Sequence, residues 1–240
     1  MARMEEVVWG AMAKMLPHKV FACSVGVDSG FTFAGHLPDN RPFVFMEFLF
    51  VSWGGRPDKD GIDALTRPGF TFANQPVELI EAEQPLIVEE YSLAPNTGGP
   101  GKFRGGLALN RAYRLNGADE GMLQLRTDRQ TFLPYGLAGG KEGSPSKNIL
   151  NPGRDNKPVE AKGRLFLKRG DVFFHTTAGS GGWGPPLERD PERVLDDVRN
   201  EKLTFDYAER EYGVVIDREV LRVDYAATRR KRVALGSSEQ

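Results

Sequence analysis

The stretch Pro95-Asn-Thr-Gly-Gly-Pro-Gly-Lys-Phe-Arg-Gly-Gly106 holds five glycines and two cations in twelve residues. Two more glycine-rich stretches, Tyr135–Gly143 and Ala178–Gly184, follow it along the chain. Backbone N–H groups of such loops can converge on an anion, and neighbouring cations strengthen that interaction. Glycine also permits tight turns and bulges that need a positive φ. From these residues alone, a phosphate-binding surface and a set of compact turns both remain open.

Known nucleotide motifs do not account for these loops. The first loop lacks the Gly-Lys-Ser/Thr ending of a Walker A motif. The residues after it, Leu107–Leu115, alternate apolar and polar as a strand does, so the strand–loop–helix setting of a dinucleotide fingerprint is missing as well. Ala178-Gly-Ser-Gly-Gly182 is not a Gly-x-Ser-x-Gly elbow, which argues against a serine hydrolase.

Composition excludes several classes of protein. The 240 residues carry a formal net charge of −1. This near-balance argues against a general nucleic-acid binder, which is usually basic, and against electrostatic attraction to anionic membranes. No apolar stretch approaches the roughly 20 residues of a membrane helix, and the first residues do not resemble a signal peptide. A single cysteine, Cys23, rules out an internal disulfide, so a cytoplasmic location is predicted.

The first third of the chain predicts one helix and two strand regions. Helical spacing of apolar residues covers 4–16 and stops before a proline. Loose alternation over 19–34 predicts a strand or hairpin, with Asp28-Ser-Gly30 as its turn. The almost continuous apolar run 43–51 predicts a buried strand, in which Glu47 needs a partner or an edge position, since a buried unpaired carboxylate is costly. An irregular loop is predicted over 52–75.

The middle of the chain predicts a β-rich body. A strand or short helix is expected at 76–83, and Asn116-Gly117 is a strong hairpin-turn pair, although the separation of its flanking strands is longer than two residues. The segments that read as strands are 85–93, 107–115, 121–126 and two short ones within 164–175.

The last fifty residues predict helices. Asp190 before a proline is a helix start, and a second helix is expected from Thr204 to Tyr212, ending at Gly213. A strand is predicted at 214–216, and Asp224 is expected to cap a last helix that carries the basic run 229–232 on a solvated face. The predicted fold class is α+β: a β-rich antiparallel or mixed body with short helices at the N- and C-terminal ends.

Few residues suit chemistry on pattern alone. His175 ends a strand beside a glycine loop, a position that fits proton transfer, although a structural histidine fits it too. His36 and Asp39 are too few ligands for a metal site. Cys23 is interpreted as a core residue. A charged loop with three acidic residues could hold a hard cation or simply be solvated; the carboxylates are Asp58, Asp60 and Asp63.

An ordered series of motifs spans nearly the whole chain. Its segments are Trp53-Gly-Gly-Arg-Pro-Asp-Lys-Asp-Gly61, Asn74-Gln-Pro-Val-Glu78, Tyr91–Gly106, Asp128-Arg-Gln130 with Pro134–Gly140, Ala178–Pro191 and Ala208–Val214. This series resembles the hydantoinase B/oxoprolinase family.

This resemblance implies an enzyme that activates a carbonyl by phosphorylation. ATP would be hydrolysed mainly on an A-type ATPase subunit, while the B-type part assists ring opening of a cyclic amide by water through a phosphorylated intermediate. A subunit of a related ketone carboxylase and a non-catalytic structural or assembly subunit are the alternatives. The implied partners are the A-type subunit, the N-terminal half of the B-type subunit and a small-molecule substrate.

The chain matches only the C-terminal half of a usual B-type subunit. We therefore expect one domain over 1–240, made of an N-terminal region (1–84), a glycine-loop β body (85–187) and a C-terminal helical region (188–240). The Asn-Asp-Pro and Gly-Gly-x-His motifs of the other half are missing, so the resemblance places a divalent metal in that half and none in this chain. The isolated chain is expected to be inactive.

The resemblance, together with residue type and loop position, gives a set of site residues. Arg104 and Arg129 are predicted to contact developing negative charge, and His175 is predicted to transfer a proton. The glycines predicted to bind substrate or phosphate are Gly98, Gly99, Gly101, Gly105, Gly106, Gly139, Gly140, Gly181 and Gly182.

Overall fold

The computed structural model describes residues 2–26, 29–66 and 74–238. Its strands are β1 (Gly30–His36), β2 (Pro42–Phe48), β3 (Leu86–Ala94), β4 (Ala108–Leu115), β5 (Glu120–Arg126), β6 (Lys147–Leu150), β7 (Lys157–Pro158), β8 (Lys162–Lys168), β9 (Val172–Thr176), β10 (Ile216–Asp217) and β11 (Arg222–Val223). Within the described ranges they form a four-stranded sheet ordered β2-β1-β5-β8, a five-stranded sheet ordered β3-β4-β9-β6-β7 and a small β10-β11 ribbon. All of the strand pairs are antiparallel.

The two larger sheets pack face to face around an aromatic core. Phe31 of β1 is buried, and its ring centroid lies 5.0 Å from that of Tyr113 in β4 and 5.7 Å from that of Phe173 in β9. Alternate residues of each strand point into this layer, as the period of two requires. Burial of each such aromatic side chain contributes about 1.5–3 kcal/mol, so the interface between the sheets is a major source of stability.

The run 43–51 is not the continuously buried strand that its composition predicts. Strand β2 ends at Phe48 and lies at the edge of the four-stranded sheet. Its burial alternates, because only one face of this sheet is covered, and Val44 and Met46 on the other face are 67% and 57% exposed. An antiparallel sheet with one open face, rather than a buried parallel sheet, explains the difference.

Glu47 has the partners that its position demanded. It points into the sandwich, where it accepts a hydrogen bond from the Tyr113 hydroxyl, and its Oε1 lies 3.3 Å from Nη1 of Arg111. Burial raises the pKa of Glu47, and the positive charge of Arg111 opposes that rise. This pair therefore joins β2 of one sheet to β4 of the other.

The predicted Asn116-Gly117 hairpin is wrong. Strands β4 and β5 flank this pair, but they belong to different sheets. The N–H groups of Asn116 and Gly117 both donate to the carbonyl of Pro85, so this segment carries the chain from one layer to the other. A local turn signal does not fix which strands pair, since that depends on contacts distant in sequence.

The predicted helices form at both ends of the chain: α1 (Ala2–Met15) at the N-terminal end, and α3 (Pro191–Arg199), α4 (Phe205–Tyr212) and α5 (Tyr225–Ser238) at the C-terminal end. The segment expected as a strand or short helix at 76–83 is a helix, α2 (Val77–Glu83). Asp190 caps α3 by accepting from the N–H of Glu192, Thr204 caps α4, and Gly213 ends it in the left-handed conformation. No helix in the described ranges combines the length and the apolar character needed to cross a bilayer. The α+β class is confirmed.

Three boundary predictions need correction or fall outside the described residues. Within 19–34 the strand begins only at Gly30, and the proposed turn there includes Asp28, which lies outside the described ranges. The predicted strand at 214–216 is reduced to the two-residue β10. The irregular loop is found at 52–66, apart from an isolated bridge between Val51 and Leu65, and its remainder includes residues outside the described ranges.

Candidate functional site

The three glycine-rich stretches interlock backbone against backbone. A Cβ at Gly105 would stand 1.9 Å from the carbonyl oxygen of Ser180, and one at Gly179 would stand 1.9 Å from that of Thr97. A Cβ at Gly140 would stand 2.1 Å from the carbonyl oxygen of Gly182. No side chain fits at these distances, so the glycines allow three loops from distant parts of the sequence to pack in direct contact.

Several of the glycines predicted to bind phosphate already use their N–H groups inside this packing. The donors that reach backbone carbonyls are the N–H groups of Gly99, Gly105, Gly106, Gly140, Gly181 and Gly182. An anion at these positions would compete with those carbonyls. Gly98, Gly101 and Gly139 lie in the same packed loops. A phosphate-binding role for the nine glycines remains a prediction.

Arg104 lies in a buried network of ion pairs. Its Nη1 is 2.9 Å from Oδ1 of Asp63, and its Nε is 3.1 Å from Oδ1 of Asp197. Burial by itself raises the pKa of Asp63, but Arg104 and Lys202 outweigh that effect and lower it to about 2. This network ties the loop after Trp53 to helix α3.

In the charged loop, the carboxylates of Asp60 and Asp63 are taken up by ion pairs with arginines, whereas that of Asp58 is exposed. Asp60 pairs with Arg189 through two contacts, of 2.6 and 2.9 Å, and Asp63 pairs with Arg104. Only Asp58 among the three is solvated, with Lys59 at 3.7 Å. The described residues contain no group of three or more His, Cys, Asp or Glu side chains that could hold a metal. Asp39 pairs with Arg41.

His175 lies inside the sandwich. It is wholly buried, its Nδ1 lies 2.6 Å from Oδ1 of Asn148, and burial lowers the pKa of its imidazole to about 3. The imidazole is therefore neutral at physiological pH. Its Nε2 finds no hydrogen-bond partner among the described residues. The contacts of His175 are separate from those of Arg104 and Arg129, and proton transfer by His175 remains a prediction.

Arg129 occupies a different environment, against helix α1. The residue is 6% exposed, and its backbone adopts a φ of 67°, an uncommon conformation for a residue other than glycine. Its Nε donates to the carbonyl of Val25 at 2.8 Å, and its Nη2 lies 3.1 Å from Sγ of Cys23. Further donations reach the carbonyls of Ser24 and Phe132. All of these partners are uncharged, so the guanidinium charge is not neutralised by direct contact.

Glu6 of α1 contributes a carboxylate to this cluster, and the Asp128 carboxylate accepts from the backbone N–H of Arg129 at 2.7 Å. Oε2 of Glu6 accepts from the thiol of Cys23 at 3.3 Å. Burial raises the pKa of Glu6, while Cys23 and Arg129 oppose the rise. Glu6 and Arg129 thus lie on either side of the same sulfur atom.

A cavity of about 960 Å³ opens beside this cluster. Helix α1 forms one wall with mostly apolar side chains, and Arg129, Tyr135 and Leu137 contribute from the other side. Burial raises the pKa of Tyr135 to about 12, so its hydroxyl stays protonated and able to donate. A largely apolar space with a few polar groups has the character of a small-molecule site. Arg129 is the predicted site residue that the structure places at such a space.

Sequence reasoning did not find Glu6 or Tyr135 as members of this cluster. Glu6 appears in the sequence as an ordinary acidic residue in the first turns of a helix, and Tyr135 only as the start of a glycine-rich stretch. The available signal was Arg129 within the Asp-Arg-Gln motif, which identifies the cluster's cation but not its neighbours.

Cys23 is expected to be inert toward thiol reagents in the folded protein. Burial and the charge of Glu6 raise the pKa of its thiol to about 12, so at pH 8 only about 1 in 10,000 thiols is ionised. Thiol counting with an aromatic disulfide reagent should find no rapid reaction in buffer and one equivalent in urea. A Val220→Cys variant, in which residue 220 is 60% exposed in the native chain, provides the control and should react at once. Equal rates for native and unfolded wild-type protein would contradict this prediction.

Comparison with known proteins places the chain in a family. The family model described as hydantoinase B/oxoprolinase matches residues 1–186. The B subunit of a putative D-/L-hydantoinase from Pseudomonas sp. (strain NS671) is 33% identical over 226 residues, which are 92% of this chain and 37% of that protein. The beta subunit of caprolactamase from Pseudomonas jessenii is 33% identical over 259 residues, with 98% of this chain and 42% of that protein covered.

Two solved structures share the fold of this chain. A chain in the crystal structure of ATP-dependent caprolactamase from Pseudomonas jessenii has a TM-score of 0.79 and 25% identity, covering 93% of this chain and 40% of that one. A chain in the nucleotide-free structure of acetone carboxylase shares the fold with a TM-score of 0.81 at 17% identity, covering 95% of this chain and 35% of that one. The chain spans less than half the length of these relatives. It belongs to the hydantoinase B/oxoprolinase family.

Proposed function

We propose that this chain is a subunit, or a separate half-subunit, of an ATP-dependent enzyme complex that hydrolyses a cyclic amide through a phosphorylated intermediate. Family membership supports the enzyme class, and the relatives named as a hydantoinase subunit and a caprolactamase subunit support the cyclic amide. ATP is used by the complex and is bound mainly on an A-type ATPase subunit. The rest of a B-type subunit supplies the other partner and holds any divalent metal.

The observation that carries this proposal is the buried Arg129 guanidinium beside the cavity. Because its hydrogen-bond partners are uncharged, it retains an attraction for an anionic group placed next to it. Negative charge develops on the amide oxygen, or resides on its phosphoryl group, when water opens an activated ring. A fixed and buried cation stabilises such charge more strongly than a cation in bulk water does. The apolar wall of α1 suits the methylene groups of a lactam ring.

Two alternatives use the same surfaces differently. In a ketone carboxylase complex, Arg129 would face an enolate or enol phosphate, which also carries negative charge on oxygen. In an assembly role, the chain would complete a partner's fold and contribute no chemistry. The second alternative is favoured by Arg104 and His175, whose contacts in this structure are those of structural residues.

The test is reconstitution followed by substitution of Arg129. The chain is co-expressed with the A-type subunit and the B-type complement from its own organism, and ATP-dependent turnover is measured on hydantoin, 5-oxoproline and caprolactam. Arg129→Met should lower kcat about 10²- to 10³-fold, the effect of removing one transition-state donor, and Arg129→Lys should retain more activity. The exposed Arg218→Met variant provides the control.

Urea unfolding of each variant separates loss of function from loss of fold. An assembled wild-type complex that turns over none of the three cyclic amides would overturn the hydrolase proposal. ATP-dependent turnover of acetone with bicarbonate by that complex would select the carboxylase instead. Arg129→Met with full activity would support the assembly role.

A further inference from the structure

The outer face of the four-stranded sheet carries an apolar row that crosses every strand. In the register of the sheet, Val44 of β2 lies beside Ala34 of β1, which lies beside Met122 of β5, which lies beside Phe166 of β8. Phe166 is 84% exposed, and Val44 is 67% exposed. These four residues, called the outer row below, lie on the face opposite the core. Polar side chains would be expected on a sheet face that meets water in the final assembly.

Two hollows border the outer row. One of about 450 Å³ lies over Ala34, Met122 and Phe166 and extends toward His36, Asp119 and Glu120. The other, of about 240 Å³, lies over Met46, and Thr32 and Gln124 also line it. An apolar surface with depressions on it can accept side chains from another polypeptide.

Charge on the same face has one predominant sign. The exposed cations that share it by strand alternation are Arg126, Lys162, Arg164 and Lys168, and Glu120, opposite Lys168 in the register, is the one acidic residue that β5 and β8 place on this face. Among the described residues these side chains make no ion pair closer than 4 Å, and Arg126 instead lies over the ring of Phe48. A partner with acidic residues around an apolar patch would complement this arrangement.

We propose that the outer row is the docking surface for the B-type complement, the polypeptide that corresponds to the part of the relatives not spanned by this chain. The chain covers only 37% of the hydantoinase subunit and 42% of the caprolactamase subunit. More than half of each relative therefore lies outside the region that matches this chain, and that part is the candidate occupant of the outer row. The inference rests on the part of the proposed function that gives this chain such a complement. It does not depend on which reaction the complex catalyses.

The first experiment places a photo-reactive benzophenone side chain at position 166 of the full chain and irradiates the native cell extract. Mass spectrometry of the cross-linked product should identify a polypeptide that matches the hydantoinase B family outside the region matched here. The same group at position 220, which is 60% exposed in the turn between β10 and β11, is the matched control and should give at least tenfold less of that product. Cross-links only to a second copy of this chain, only to unrelated proteins, or to nothing would overturn the proposal.

The second experiment measures the affinity of the purified chain for the co-expressed complement. Phe166→Arg should weaken it at least tenfold, and Phe166→Tyr should preserve it. Because Phe166 is 84% exposed, neither change should lower the thermal midpoint of the isolated chain, so misfolding cannot explain the loss. Unchanged affinity with Phe166→Arg would contradict the proposal.

The two proposals fail separately. A complex that assembles through Phe166 but hydrolyses no cyclic amide would contradict the hydrolase proposal and support the docking proposal. A complex that is fully active and equally stable with Phe166→Arg would contradict the docking proposal and support the hydrolase proposal.

Discussion

Gly105→Ala should strongly destabilise the folded protein. A Cβ at this position would stand 1.9 Å from the carbonyl oxygen of Ser180 and 2.6 Å from its carbonyl carbon, and both of these atoms are backbone. Backbone held in a packed loop cannot rotate away as a flexible side chain can, so the two loops must separate. We expect a loss above about 4 kcal/mol, a large fraction of the stability of an ordinary domain. Urea unfolding followed by tryptophan fluorescence measures it, at reduced temperature if expression requires.

The chain offers a matched control for this change. Gly236 in α5 has nothing within 4 Å of an added Cβ. Gly236→Ala should be neutral or stabilising by up to about 1 kcal/mol, because alanine favours a helix over glycine. If Gly105→Ala unfolds at the same urea concentration as wild type, the close packing of the glycine loops described above is wrong.

Arg189→Ala should destabilise the protein by about 3–5 kcal/mol, the typical cost of removing one partner of a buried ion pair. Its guanidinium is 1% exposed, lies 2.6 Å from Oδ1 of Asp60 and 2.6 Å from Oδ2 of Asp197, and also donates to the carbonyl of Lys102. Its removal takes one cationic partner away from the carboxylates of Asp60 and Asp197, and it leaves a cavity where the side chain packed. The midpoint of urea unfolding at pH 7 is the measurement.

Arg218→Ala is the control for the loss of an arginine as such. Arg218 pairs with Asp206, and their side chains are 65% and 80% exposed. Solvent screens such a pair, so its loss should cost no more than about 1 kcal/mol. Equal effects of the two substitutions would show that the Arg189 network is not buried as described.

This network also changes how an Arg104 variant must be interpreted. Arg104 shares Asp197 with Arg189, so Arg104→Ala is expected to lower stability whether or not the residue has any role in turnover. A decrease in activity therefore supports a catalytic role only if the variant remains folded at the assay temperature. Arg129 offers a clearer test, because its partners are backbone carbonyls and a thiol rather than carboxylates.

The sequence alone determined the features that depend on residues near one another. The capping of α3 by Asp190, the capping of α4 by Thr204 and its end at Gly213 follow from side-chain and backbone preferences within a few residues. The strands β4 and β5 follow from local alternation of apolar and polar residues. The order of the glycine-rich motifs was sufficient to indicate the family.

Only the tertiary structure decided how these pieces pair and which chemistry they leave available. Strand partners are fixed by contacts far apart in sequence, so the Asn116-Gly117 signal could not reveal that its two strands enter different sheets. The glycine pattern did not show that the loops interlock, because the approach of Gly105 to Ser180 spans 75 positions of chain. Arg104 and Arg129 look alike in sequence, yet one meets carboxylates and the other uncharged groups beside a cavity. Burial and the identity of distant neighbours set that difference, and neither is encoded in a local pattern.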